Sequence, residues 1–516
     1  MTIPENNDDL EEQQQQEQPA NDSELITATP VVPTTRKRQT PQGPIVHAVQ
    51  AEPSSNRKGG TWRVLLVVVI AIAAGVGFGV GGKKKKTSSS SISGNTPLGF
   101  EPSVFSFEAT ISEVTILPGN SSGGRWGAAV VLSADGNTLA IGAPGTNSNG
   151  PSSGLVQILT LTYSNDTQQD EGWVPLGLPI KGDTEEDALG SSIAISANGR
   201  IVVCGIPSND VGGLDAGLVR VFRLSAAAAN NGTSGIQEEE WIQIGQDLLG
   251  KQIEASNFGS SVAISEDGLT LVASSSQQGY VEIYRYDSNE DSWNPLGALE
   301  GKEGGDRFGE ALSISGDGST VAIGAPMHNG GTGYVHLSSW DEAKREWVEL
   351  GESSPYLQGD GKDDNFGSSV ALSQDGNCVA VGANQFGLAK SLPGFVRVVC
   401  LDNSQTMWNQ IGNDILGDND KDIFGESVGL SSDASLIVVG APGSDGNGSS
   451  SGRVQLFGYD GTTWQPHGVD GVRFNGMAGG DQLGASVAIS SDGTTIVVGA
   501  FAADGLTGQA HVYRLK

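Results

Sequence analysis

The phrase D-R-F-G-E-A-L-S-I-S-G-D-G-S-T-V-A-I-G-A-P at 306–326 returns in variant form seven times, and this periodicity restricts the chain more than any other feature. The copies align on the glycine of an F-G-like pair: Gly127, Gly190, Gly259, Gly309, Gly367, Gly425 and Gly484, 50 to 69 residues apart. A period of this size means an array of supersecondary units, because one unit cannot bury its own apolar faces. Each unit carries an apolar run after F-G, an S-x-D-G turn, a second run such as T-V-A-I-G-A, a third after glycine, and a closing W-x-x-h-G, where h is apolar. Four short β-rich runs per repeat predict an all-β fold, a seven-bladed β-propeller.

The residue types suit that reading. Ser and Asp of S-x-D-G can bond turn backbone, and its glycine takes positive φ cheaply. Small residues dominate the first two runs, where blades crowd near the axis. Tryptophan marks the fourth, where blades diverge and the gap is wider. Six such tryptophans occur, Trp173, Trp241, Trp293, Trp347, Trp408 and Trp464, and the seventh blade ends at Lys516 without one. Residues 105–117, with Phe107 near the tryptophan position, are expected to supply the missing strand beside 510–515.

Four segments follow. Residues 1–62 are acidic, Gln-rich and Pro-rich, too poor in apolar surface to fold, and are expected to be disordered. Residues 63–82 are expected to form a transmembrane helix, an uncleaved signal anchor: Val64–Gly82 carries no charge and is long enough to span a bilayer. Ala71, Gly75 and Gly79 line one face of it, a small-residue stripe suited to a homodimer. Residues 83–99 are a basic, Ser-rich spacer, and 100–516 the propeller. The G-x-G-x-x-G match at Gly77, Gly79 and Gly82 lacks the following helix of a dinucleotide site. Basic residues flank the span on both sides, so orientation does not follow from charge. Sequons at Asn120, Asn165, Asn231 and Asn447 are glycosylation candidates in expected loops, about as many as this composition gives by chance.

Beyond residue 86 the chain has 19 basic and 51 acidic residues, net −32, which disfavours nucleic acid as a partner. Three cysteines exclude a disulfide-stapled scaffold. Cys378 and Cys400 fall on adjacent strands of one blade and form a disulfide candidate, with buried thiols the preferred reading.

The F-G pairs with Gly142-Ala143-Pro144, Gly324-Ala325-Pro326 and Gly440-Ala441-Pro442 resemble the FG-GAP repeat of integrin α-chain propellers, over about 105–516. The resemblance implies an extracellular propeller used in adhesion or ligand binding. That family's calcium loop, D-x-D-x-D-G between the first two strands, is here shortened to S-A-D-G, S-E-D-G or S-Q-D-G, with too few oxygens for calcium. Its metal sites are therefore not expected, and no cofactor is implied. Aspartates do precede the F-G glycine by three residues at Asp187, Asp306, Asp364, Asp422 and Asp481. The richest copy, Asp418, Asp420 and Asp422, lacks the sixth-position glycine and closing glutamate of a calcium loop, and turn formation is the preferred role.

Catalytic signals are few. G-E-S-V-G around Ser427 leads into a strand, unlike a nucleophile elbow. Glu310 and Glu426 share one position in blades four and six, a carboxylate pair that could serve glycan hydrolysis. The five histidines lack metal-ligand spacing. The expectation is a single-pass membrane protein with an extracytoplasmic, non-catalytic recognition or adhesion propeller for a protein or glycan ligand. The alternatives are a glycan hydrolase and an inert display scaffold.

Overall fold

The computed structural model describes residues 111–516, apart from 164–169, 226–238, 252, 352–355, 388–391, 403, 405–406 and 469–470. The expected tail, span with Ala71, Gly75 and Gly79, and spacer lie outside the described residues, as do Phe107, Asn165 and Asn231. Among the described residues no helix is long and apolar enough to cross a membrane.

Seven antiparallel sheets form a β-propeller. In blade four the strands are Leu312–Ile314, Thr320–Ala325, Tyr334–Asp341 and Glu346–Glu349, with Tyr356–Gln358 also paired to the third. First strands contact those of both neighbouring blades all the way round, from Ala129–Leu132 to Ser486–Ile489 and back. Second strands lie between two other blades, so every residue of Thr320–Ala325 is buried and its apolar run shows no alternation. The core is accordingly a set of inter-blade clusters, such as Ile437, Val439 and Phe457 of blade six with Val396 and Val398 of blade five.

The ring closes through the N-terminal strand. Ile111–Pro118 pairs antiparallel with Gln509–Leu515, in register Val114↔Tyr513 and Leu117↔Ala510, as the outer strand of blade seven. Leu117, Val497 and Val512 then pack with Leu139, Ile141 and Trp173 of blade one. A second closure runs through the S-x-D-G turns. The x residue of each turn donates its backbone N–H to the x residue of another blade, from Ala134 to Ala197, Glu266, Gly316, Gln374, Ser432, Ser491 and back to Ala134. Within each turn Ser caps backbone: Ser315 Oγ donates to Asp317 Oδ1 at 2.7 Å and accepts the Thr320 N–H at 2.9 Å.

Tryptophan fills the gap between blades and also ties them. Trp241, Trp293, Trp408 and Trp464 donate Nε1–H to Leu176, Ile244, Leu350 and Ile411, the apolar residue before the W-x-x-h-G glycine of the preceding blade, at 2.8–3.2 Å. Cys378 and Cys400 stand opposite each other on neighbouring strands and are joined in a disulfide, where buried thiols were the preferred expectation. The direct pairing of the two positions across the ladder brings their sulfurs together. Cys204 is a buried free thiol.

Candidate functional site

The F-G pair builds the site. In all seven blades the N–H of the residue after F-G bonds the carbonyl of the residue before it, at 3.0–3.2 Å. That closes a four-residue turn whose third member, the F-G glycine, has φ of 86–95°, as a type II turn requires. The first member also has positive φ although it is never glycine: Arg125, Ala188, Asn257, Arg307, Asn365, Ile423 and Gln482, at 50–56°. For a β-branched residue such as Ile423 this is strained backbone, held by the turn around it.

One backbone frame therefore presents five kinds of side chain at seven places around the axis. In blades four to seven both ends of each turn, Arg307 and Glu310, Asn365 and Ser368, Ile423 and Glu426, Gln482 and Ala485, line one cavity of about 370 Å³. Its remaining wall comes from the end of the second strand and the loop beyond, including Pro326, Met327, Asn384, Phe386, Pro442 and Phe501. The structure thus brings Glu310 and Glu426 into the same cavity.

Their surroundings differ. Glu310 is ion-paired with Arg307 of its own turn, Nη1 to Oε1 at 3.1 Å. Glu426 Oε2 accepts the Asn384 amide N–H at 2.8 Å, and Asn384 Oδ1 accepts the Asn365 amide at 2.9 Å and the Phe386 N–H at 3.1 Å. Burial pushes the Glu426 carboxyl above the usual carboxylate range, the charge of Glu310 adds to this, and the Asn384 bond opposes it. Asn365, Asn384 and Arg307 were not singled out from sequence. The available signal was the third letter of G-A-P, which becomes Asn384 in blade five and Phe501 in blade seven.

The five aspartates that stand three residues before an F-G glycine are loop caps. Asp364 Oδ2 accepts the N–H groups of Asp360 and Gly361 at 3.0 and 2.7 Å, and Asp481 Oδ2 that of Ala478 at 2.7 Å. Asp422 Oδ2 accepts the Asn419 N–H at 3.2 Å, whereas Asp418 pairs with Arg453 and Arg473 and Asp420 is exposed. Asp418, Asp420 and Asp422 therefore do not converge on a common point. Among the described residues the one cluster with metal-ligand proximity is Glu303, Asp306 and His328. His328 Nδ1 lies 3.0 Å from Asp306 Oδ2. The same place in blade two holds Asn209, whose amide donates to Asp187 at 2.7 Å, so hydrogen bonding accounts for the histidine. Ser427, in the G-E-S-V-G match, donates to the Gly484 carbonyl of the next blade at 2.7 Å and acts as an inter-blade tie. Asn120 is exposed, whereas the Asn447 amide donates to Gly476 O at 2.8 Å, a tie repeated by Asn149 to Gly182.

The FG-GAP repeat family model matches residues 417–457, which run from the loop before the sixth F-G to that blade's third strand. With the seven sheets this makes the fold an FG-GAP β-propeller. No curated protein sequence matches the chain. A solved structure of Kuenenia stuttgartiensis hydrazine synthase is similar over 77% of this chain and 97% of that one, at 16% identity and a TM-score of 0.45. A likeness that low says nothing about activity.

Proposed function

We propose that this FG-GAP β-propeller is a recognition module, anchored by the apolar segment at 63–82 with the propeller outside the cytoplasm, that holds its ligand at the F-G mouth without transforming it. The observation that carries the reading is the contrast at the seven turns: one left-handed backbone geometry at the first position, occupied by five kinds of side chain, Arg, Ala, Asn, Ile and Gln. Repeated frames with varied outward residues are how a scaffold presents a binding face. The Cys378–Cys400 disulfide supports an oxidising compartment.

An array of glycans and proteins probed with the full-length chain in nanodiscs tests it. Ala485→Trp, which fills the cavity, is expected to abolish the binding that wild type shows. A ligand bound equally by both would remove the mouth from consideration. Protease protection on sealed vesicles tests the topology, which fails if 100–516 is digested from the cytosolic side.

A second reading, hydrolysis of glycans, is favoured by one pairing. Glu426 is biased towards its protonated form while Glu310 is ion-paired in the same cavity, the asymmetry expected of an acid and a base. Release of reducing sugar by wild type, lost in Glu426→Gln with binding retained, would put this reading first.

A further inference from the structure

We infer that the F-G mouth holds a neutral, polyhydroxylated unit, the end of a glycan, with one face on Phe386 and its hydroxyls towards Arg307, Asn384 and Glu426. This rests on the reading of the mouth as the ligand site. Three observations carry it.

The first is character. Phe386 lines the cavity yet is 68% exposed, Met327 is 41% exposed, and Phe501 adds a second ring to the wall. The same lining holds planar groups that donate and accept: a guanidinium, carboxamides and carboxylates. A sugar ring has this same division, C–H groups on its faces and hydroxyls at its edge, each hydroxyl both donor and acceptor.

The second is charge. Arg307 and Glu310 neutralise each other, and the hydrogen bond described for Glu426 comes from a neutral amide. An ammonium or guanidinium guest would meet Arg307 on the same wall, and an anionic guest two carboxyl groups. With Arg307 and Glu310 paired, Glu426 is the one charged group of the lining left without a counter-ion, and in its neutral form the lining suits an uncharged guest. Burial of Glu426 acts in the same direction by favouring its neutral form.

The third is preorganisation and size. Asn365 donates to both Asn384 Oδ1 and the Phe386 carbonyl, and Asn384 in turn to Glu426, so the amides that face the cavity are oriented before anything binds. At about 370 Å³ the space lies near the lower end of ligand pockets, roughly 300–1,000 Å³, which suits a terminal unit better than the body of a chain.

Saturation-transfer NMR on the full-length chain in nanodiscs tests the proposal. The probes are galactose, mannose, glucose, N-acetylglucosamine and their disaccharides, with spermidine and N-acetylneuraminic acid as charged counterparts. At least one neutral sugar is expected to receive saturation at millimolar concentration. Phe386→Ala should weaken it about 10-fold, and Glu426→Ala by a similar factor. Phe386 is largely exposed, so its variant should keep the wild-type circular dichroism. The proposal is overturned if no neutral sugar receives saturation, if a charged probe binds the mouth more tightly, or if both variants bind sugar as wild type does. If it is overturned while Ala485→Trp still abolishes array binding, the recognition reading stands with another ligand class. If Ala485→Trp also has no effect, both fall.

Discussion

One methyl group decides how closely two blades approach. A Cβ on Gly142, Gly205, Gly324, Gly382, Gly440 or Gly499 would collide with the carbonyl oxygen of the F-G glycine in the next blade. Blade three has Ser274 there, and its hydroxyl donates to Gly309 O at 2.7 Å, so contact is kept as a hydrogen bond. Gly324→Ala is expected to cost about 1–3 kcal/mol by overpacking, read as a lower urea midpoint; an unchanged midpoint would mean the blades have slack. Two of the three buried histidines contribute measurably to acid behaviour. Burial lowers the pKa of His336 and of His511 to about 4, below the unfolded value near 6.5. The unfolded chain therefore takes up protons first as pH falls. Stability from these residues is whole above about 6.5 and is lost down to about 4, by on the order of 1.4 kcal/mol per pH unit for each. Urea titrations between those limits should show the decline, and it should flatten in a His336→Asn, His511→Asn double variant; an equal slope would assign the effect to other groups. The S-x-D-G turns were legible because their reason is local. Arg307 and Asn384 were not, since their place beside Glu310 and Glu426 arises from the convergence of separate blades.

The outer edge of each blade obeys a length rule. In blades one, two, four, five and six the fourth strand breaks into two pieces, at Gly177, Gly245, Gly351, Gly412 and Gly468, all with positive φ. In blades one, two, four and five the turned backbone there offers its carbonyl to the next tryptophan. In blade three Ser292–Glu300 runs unbroken, and Gly297 is not in the left-handed region. Only four residues separate Gly297 from Gly301, against five from Gly177 to Gly182 and from Gly245 to Gly250, so the break has no room. A bulge between Ile283 and Tyr284 takes up the mismatch. Trp347, which faces this strand, is left with a buried Nε1–H that has no partner. Phenylalanine at Trp293 or Trp464 should therefore cost about 1 kcal/mol more than at Trp347, because the first two lose a hydrogen bond and the third loses an unpaired donor. Equal losses in thermal denaturation would show that only ring volume matters. The four-run repeat was legible because each apolar run has its own turn signal. The exception was not, because W-N-P-L-G satisfies the same motif and differs only in the spacing that follows.

At the scale of the molecule, stability depends on an unbroken circle. Deleting 111–118 strips the outer strand from blade seven and exposes Leu117, Val497 and Val512. The expected result is loss of the single cooperative thermal transition, with 87–98 deletable at no cost; a truncated chain that melts as wild type does would mean the circle holds without that strand. Seven repeats in phase made the circle legible, since a single blade could not bury both faces. The cavity belongs to four blades at once, and its traces within the repeats are single letters, the glutamates after F-G and the varied third letter of G-A-P. The pairing of Ser112 with Arg514 spans 402 residues, and this separation sets a schedule. During synthesis at roughly 5–20 residues per second, the strand made first waits about 20–80 s for its partner. Throughout that interval every nascent propeller has an open seam, a template for its neighbours on the same messenger. A cell producing this protein must therefore shield the growing chain until its last strand emerges, and a ribosome that stops in blade seven releases an unsealed ring.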